Sequence, residues 1–492
     1  MFRRVKEPVV VRDIKTEARC AGQLISFATD SDRHEKDDPE PEPDAARRRF
    51  HLYLFRPRRR LHRRRDLYRR IADHWLRRPA PGFLMEPGQP RRRFQVMAKP
   101  GGAACNLRCR YCYYLPKAEL LDQGPHPRMS DERLEIFIRQ YIEGNQSDEV
   151  VFSWQGGEPT LLGLGFFQKA VDIQKRHAPR GRSVANTLQT NGTLLTGDWA
   201  AFLKENNFLV GLSVDGPEEL HDLYRRDQAG QPTFRRVMAG LEHLKRHGVA
   251  FTTLCTVNRR NAKKPLEVYR FLTRELGSTY VQFNPCVEPL DFEKTAPDFR
   301  AGEAMPLVGS PRSRPGPDSS VVTEWSVDPR DWGDFLSAIF DEWLERDLGR
   351  VLVNWFETAV AQTMGLPAQI CPSGEICGKG LALEHDGRVY SCDHYVYPEY
   401  CLGNIEEREL AGMAFSSRQR TFAFKKRDSL PQYCLKCSHG LLCWGQCPRH
   451  RLLKTPSGEP GLNYLCPGFK KFFSHAKPAL RSIAARCLAD SP

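Results

Sequence analysis

Residues 94–114 read FQVMAKPGGAACNLRCRYCYY: a short apolar run, a glycine-containing turn, and then Cys105, Cys109 and Cys112 in the spacing C-x3-C-x2-C. The run FQVMAK has the length and apolar character of a buried strand, so the thiols fall on the loop leaving its C-terminal end. Three thiolates on one short loop can hold three irons of a [4Fe–4S] cube. The fourth iron then has no protein ligand, and an open coordination site is what a substrate or cofactor needs. Zinc or three incidental thiols is the plainer alternative, but structural zinc usually closes with four ligands and no nearby histidine completes this set.

Outward from this stretch, short apolar, β-branched-rich runs alternate with amphipathic ones, which is the mark of repeated βα units around a parallel sheet. Strands are expected at 94–99, 149–154, 184–190, 208–214, 250–256 and 279–284, and helices at 130–143, 165–177, 197–206, 233–247 and 263–276. Six units are too few for an eight-fold barrel, so the fold class expected is α/β, an open partial (βα)6 barrel. The strand ends carry polar motifs: QGGEP (Gln155 to Pro159), QTNG (Gln189 to Gly192) and SVDGP (Ser213 to Pro217), the last followed by HDLYR ending at Arg225. C-terminal strand ends are where barrels of this type build active sites. Alone, a Gly-Gly pair or Asp215-Gly216 is equally a plain turn.

Eight cysteines crowd the C-terminal region: C371-x5-C377-x14-C392, then C434-x2-C437-x5-C443-x3-C447-x18-C466. Eight suffice for two four-cysteine sites, either iron–sulfur clusters or a pair of zinc knuckles. With no export signal in MFRRVKEPVVVRDIK and no apolar run near the ~20 residues of a membrane span, the cytoplasm is the expected location. Disulfides are not expected there.

The chain has 492 residues, 40 % apolar and 27 % charged, enough for a full-sized core. Its net charge of +14 is uneven: residues 1–93 hold 25 Lys/Arg and 14 Asp/Glu, leaving 49 basic and 46 acidic residues in 94–492. The basic excess therefore belongs mostly to an extension and does not point to nucleic acid. Six segments follow: 1–93 a basic, mostly disordered extension, 94–295 the partial barrel, 296–328 a Pro/Gly/Ser-rich linker or loop, 329–370 a helical connection with one amphipathic helix over 329–347, 371–475 a Cys-rich iron–sulfur domain, and 476–492 a tail.

The first cysteine triad, with aromatic Tyr111 before its last thiol, resembles the radical S-adenosylmethionine (SAM) superfamily. That resemblance implies that the open iron chelates the amino and carboxylate groups of SAM, and that reductive cleavage gives a 5′-deoxyadenosyl radical. By the same resemblance Tyr111 meets the adenine, Gly156, Gly157 and Glu158 serve the SAM amino group, Ser213 and Arg225 serve the ribose and carboxylate, and Cys286 contacts SAM from the sixth strand end. The C-terminal cysteines resemble the SPASM extension of peptide-modifying members. This implies one auxiliary cluster on Cys371, Cys377, Cys392 and Cys447 and another on Cys434, Cys437, Cys443 and Cys466, three [4Fe–4S] clusters in all. Cys20, Cys255, Cys286, Cys401 and Cys487 are left as unligated thiols.

Over about residues 94–475 the chain is similar to the anaerobic sulfatase-maturating enzymes, most specifically in RRFQVMAKPGGAACNLRCRYCYYLPK, FSWQGGEPTL, SVDGPEELHDLYR and SCDHYVYPEYCLGNI. The implied reaction oxidises a Cys or Ser, in a C/S-x-P-x-R motif of an unfolded sulfatase, to Cα-formylglycine. It implies Asp393 as catalytic base, Tyr114 and Gln155 in the substrate pocket, and an electron donor such as a flavodoxin or ferredoxin; a monomer is expected. Without the resemblance, Asp393 is equally a solvated carboxylate or an acceptor supporting a ligand. Two alternatives stand beside this one: another SPASM enzyme forming thioether or carbon–carbon crosslinks, and a non-catalytic iron–sulfur or zinc protein of electron transfer or regulation, which would not cleave SAM.

Overall fold

The computed structural model describes residues 93–297, 305–316 and 319–489. The extension expected to be disordered lies outside these residues, Arg93 apart. Six strands form where expected: β1 (Gln95–Lys99), β2 (Glu149–Trp154), β3 (Ser183–Thr190), β4 (Leu209–Ser213), β5 (Ala250–Val257) and β6 (Tyr280–Pro285). The helices between them are α1 (Asp131–Gly144), α2 (Leu164–His177), α3 (Gly197–Glu205), α4 (Phe234–Arg246) and α5 (Pro265–Arg270), the last continued by a π turn over Phe271–Glu275. Neighbouring strands pair in parallel and in sequence order, as right-handed βα crossovers produce.

Local sequence explains each unit. In α1, the Ser130 hydroxyl accepts from the Arg133 amide (3.2 Å) and Asp131 and Glu132 occupy the first turn, where carboxylates favour the helix dipole. Leu134, Phe137, Ile138, Tyr141 and Ile142 then recur at helical spacing and are all buried. They meet the alternating inward residues of β2, Val150, Phe152 and Trp154, in a chain of edge-to-face and stacked rings.

The sheet extends beyond the six units. After α6 (Pro329–Glu342), β7 (Leu352–Val353) and α7 (Asn354–Thr363), the strands β8 (Gly380–Glu384), β9 (Arg388–Tyr390) and β10 (Cys401–Asn404) follow. The open ten-stranded order is β10-β9-β8-β1-β2-β3-β4-β5-β6-β7, with β7 parallel to β6, β8 parallel to β1, and β9 and β10 antiparallel. Part of the Cys-rich region thus completes the sheet beside β1, in register Lys99 to Glu384. Its strands are only three to five residues long, too short to show a period. The stretch 296–324 is also less of a surface loop than its composition suggests: Pro306, Ser313 and Val322 are buried, and Val322 bridges Pro289.

The chain continues through α8 (Ser417–Asp428) and the hairpin β11 (Leu453–Lys454) and β12 (Pro460–Leu462) into α9 (Cys466–Ala489). Residues 476–489, read as a tail, continue α9, with Leu480, Ile483 and Cys487 buried; Pro478 inside the helix disguises it, since proline ordinarily ends helices. Helix α9 packs on α6 with Phe469 against Trp332 and Trp355. The two backbones touch at Gly333 and Gly468: a Cβ on Gly468 would meet the Pro329 carbonyl oxygen at 2.1 Å. Gly468→Ala should therefore cost about 1–3 kcal/mol, the range for overpacking, seen as a lower urea midpoint. Gly165→Ala, in open space on the first turn of α2, should leave the midpoint unchanged or slightly raised, and equal midpoints for both variants would contradict this packing.

Candidate active site

The loop after β1 is held by its neighbours before any cofactor is considered. Gly156 turns at φ +125°, and a Cβ on Gly157 would lie 2.0 Å from the Ala104 carbonyl oxygen. The Gly157 amide donates to the Gly102 carbonyl (2.9 Å) and the Glu158 amide to that of Ala104 (2.8 Å). The glycine pair thus lets the loop after β2 lie against the backbone leading into Cys105. Both Glu158 oxygens are engaged: one accepts from the Thr160 amide (3.0 Å) and hydroxyl (2.6 Å) and the Thr190 hydroxyl (2.7 Å), the other from the Asn191 amide (2.7 Å). The Asn191 side chain reaches the Cys105 sulfur (3.9 Å), and the Leu107 amide donates to it (3.3 Å).

The next strand ends supply charge. Asp215, fully buried, pairs with the Arg225 guanidinium (3.0 Å) and accepts from the Tyr111 hydroxyl and the Thr256 amide (2.9 Å). Arg225 also stands 5.6 Å from the centre of the Tyr111 ring. Ser213 accepts from Gln189 Nε2 (3.0 Å), and Cys286 is buried with its amide donating to Val257 and its carbonyl accepting from Val327.

The far wall comes from the C-terminal region. Asp393, directly after Cys392, is buried and faces the Lys99 ammonium at 2.5 Å. The Tyr113 hydroxyl, directly after Cys112, donates to its other oxygen at 2.5 Å. Lys99 also donates to Gln155 Oε1 (3.4 Å) and stands 4.7 Å from the Tyr114 ring centre, while the Tyr114 hydroxyl donates to Glu384. Tyr114, Gln155 and Asp393 are therefore brought together, through Lys99. Burial alone would raise the Asp393 carboxyl, but the Lys99 charge and the Tyr113 hydrogen bond outweigh it and bring it to about 2. Burial and the adjoining carboxylates hold the Tyr113 and Tyr114 phenols well above 10, so both stay donors.

The chain's own residues suit iron–sulfur ligation. Burial pushes the thiols of Cys105, Cys109, Cys377 and Cys466 up to about 12 and those of Cys371 and Cys434 to about 11. Such thiols stay protonated until a metal cation draws the proton off. Were they ionised, the thiols near enough to repel one another would be Cys105, Cys109 and Cys112; Cys371, Cys377, Cys392 and Cys447; and Cys434, Cys437, Cys443 and Cys466. Among the described residues no three His, Cys, Asp or Glu groups converge closely enough for one metal ion; a cube spreads its ligand sulfurs farther apart. The described cysteines form no disulfide.

Four residues of this site were not singled out from sequence. Lys99 read only as the end of a strand, although a cation closing a buried strand is itself a signal. Asp215 lay in SVDGP but read equally as a plain turn, Tyr113 lay in the first cysteine stretch with no role assigned, and Glu384 carried no motif.

Residues 100–272 match the Radical SAM superfamily, and 371–438 match SPASM, an iron–sulfur cluster-binding domain. The class is thus a radical SAM protein with an iron–sulfur-binding C-terminal region. The chain is 44 % identical over 383 residues to a serine-type anaerobic sulfatase-maturating enzyme of Bacteroides thetaiotaomicron, covering 78 % of this chain and 89 % of that one. It is 34 % identical to a cysteine-type enzyme of Clostridium perfringens, covering 79 % and 98 %. The solved structure of native anSMEcpe with bound AdoMet and Cp18Cys peptide superposes with a TM-score of 0.67 at 32 % identity, over 80 % of this chain and 98 % of that one. The chain belongs to the anaerobic sulfatase-maturating enzymes.

Lys99→Met should show what the ion pair does. The wild-type carboxylate, with its depressed pKa, contributes stability above the ordinary value of about 4 and loses it as pH falls toward 2. Without the ammonium, burial dominates and the carboxyl pKa rises. Peptide oxidation by Lys99→Met should then climb with pH across a range in which the wild type shows no such limb, and superimposable pH profiles would contradict this role.

Proposed function

We propose that this chain oxidises a Cys or Ser, within a C/S-x-P-x-R motif of an unfolded sulfatase, to Cα-formylglycine. One observation carries the reading: Asp393, directly after Cys392, is held by Tyr113, directly after Cys112, and by Lys99 at the end of β1, so that its carboxylate joins the two cysteine loops. Cys105, Cys109 and Cys112 would hold a [4Fe–4S] cluster, which with SAM would supply a radical able to take a hydrogen atom from the substrate β-carbon. Tyr111, Gly156, Gly157, Ser213, Arg225 and Cys286 line the SAM side. Glu158 acts through the loops it clamps.

On the substrate side, Gln155 and Tyr114 orient the Cys or Ser side chain. Asp393, ionised and desolvated, takes the thiol or hydroxyl proton as the carbon–sulfur or carbon–oxygen bond becomes double, the accompanying electron being one that an auxiliary cluster would accept; from Cys, water then replaces sulfide to give the aldehyde. Lys99 keeps that carboxylate charged, and Tyr113 fixes its direction. Auxiliary clusters on Cys371, Cys377, Cys392 and Cys447, and on Cys434, Cys437, Cys443 and Cys466, make three in all. A flavodoxin or ferredoxin serves as electron donor, and the protein works as a cytoplasmic monomer. Among the described residues no helix is long and apolar enough to cross a membrane. Residues 94–295 are read as the barrel, 296–328 as a linker or loop, 329–370 as a helical connection, and 371–475 as the auxiliary-cluster region.

Two outcomes test this reading. Anaerobic reconstitution should load about twelve irons per chain, and replacing Cys105, Cys109 and Cys112 by Ala should abolish SAM cleavage while keeping about eight; zinc at the C-terminal sites, or retained cleavage, would overturn it. Asp393→Asn should keep its iron and still cleave SAM, yet lose formylglycine formation by roughly two to four orders of magnitude in mass spectrometry of a CxPxR or SxPxR peptide. Near-normal product would remove Asp393 from the chemistry.

A further inference from the structure

Charge beyond residue 93 is strongly segregated. Residues 429–489 hold nine Lys/Arg and one Asp/Glu, Glu459, while the rest of 94–492 holds 40 basic and 45 acidic residues. This basic stretch contains Cys434, Cys437, Cys443 and Cys466. Two lysines of α9 reach the loop bearing Cys434 and Cys437: Lys470 donates to the Tyr433 hydroxyl (2.6 Å), and Lys477 approaches the Ser438 carbonyl (3.5 Å). Lys436 lies exposed on the loop itself. Among the described residues no carboxylate forms an ion pair with Lys436, Lys470 or Lys477, whereas the α9 neighbours Lys471 and His475 pair with Asp334 and Asp341. Glu459 accepts from the Gln432 amide (2.9 Å).

The same segment exposes apolar surface. Leu435 is 56 % and Leu441 75 % exposed, flanking Cys437 in sequence. Large side chains left in water on a segment whose lysines no carboxylate neutralises mark a contact face.

We propose that Leu435, Lys436, Leu441, Lys470 and Lys477 form the docking face for a small one-electron carrier protein of acidic surface. This rests on the reading that Cys434, Cys437, Cys443 and Cys466 hold a cluster, which the face would bring within reach of the carrier. The reaction releases an electron that such a partner can take. Once the substrate β-carbon has lost its hydrogen atom, forming the double bond releases one proton, to Asp393, and one electron. The oxidised carrier takes that electron and is reduced by one. Weak, salt-sensitive docking through a few lysines around an apolar centre suits a carrier that must leave after each transfer.

The test uses the iron-loaded enzyme and an oxidised plant-type [2Fe–2S] ferredoxin as probe, with binding measured anaerobically by calorimetry at low and high salt. Lys436→Glu/Lys470→Glu/Lys477→Glu should weaken binding about tenfold or more at low salt and flatten the salt dependence. Leu435→Ser/Leu441→Ser should weaken it with the salt dependence kept, and Arg235→Glu, on a remote exposed side chain, should change nothing. Iron content and dithionite-driven SAM cleavage should match the wild type throughout. Undiminished ferredoxin binding by the triple variant, no binding by the wild type, or binding of a DNA duplex in preference to ferredoxin would each overturn the proposal. Wild-type enzyme lacking iron at these four cysteines would instead sink the cluster reading beneath it.

Discussion

A buried carboxylate cannot stand alone, and in this protein the requirement joins two distant parts of the chain. Asp393 sits in a water-poor site where an uncompensated charge would cost several kcal/mol. Lys99 from β1 and Tyr113 from the first cysteine loop compensate it. Because Tyr113 follows Cys112 and Asp393 follows Cys392, satisfying one charge fixes the spacing between two cysteine loops 280 residues apart. Strand β8, paired with β1 in register Lys99 to Glu384, holds that wall in place, and Tyr114 closes it by donating to Glu384.

The same economy governs the SAM side. Arg225 is buried and has its counter-charge in Asp215, which also receives the Tyr111 hydroxyl. Glu158 spends its oxygens on the loops after β2 and β3, so the backbone around Cys105 is positioned by the protein itself. A site whose polar groups are already satisfied is rigid before its ligand arrives, which lowers the reorganisation needed at the moment of reaction.

Much of this was legible in the sequence. The six strands and their helices were announced by periodicity, and the cysteine spacings identified both the open triad and the C-terminal eight. What escaped detection depends on tertiary pairing. Lys99 looked like the polar end of a strand until Asp393 was brought to it. Asp215 looked like a turn because its partner Arg225 lies ten residues on, beyond a helical turn. The strands β8 to β10 lacked a visible period, and Pro478 hid the continuation of α9. The Gly156-Gly157 pair, which the resemblance assigns to the SAM amino group, lies against the chain's own backbone at Ala104 in this structure.

The account stands or falls on whether hydrogen leaves the β-carbon of a Cys or Ser held against Asp393. The direct measurement is anaerobic turnover of the reduced, iron-loaded enzyme with SAM and a CxPxR or SxPxR peptide carrying deuterium at that carbon, followed by mass spectrometry of both products. The predicted result is one deuterium in each 5′-deoxyadenosine and one formylglycine per deoxyadenosine formed. Deoxyadenosine free of deuterium, or a peptide crosslinked instead of oxidised, would contradict it.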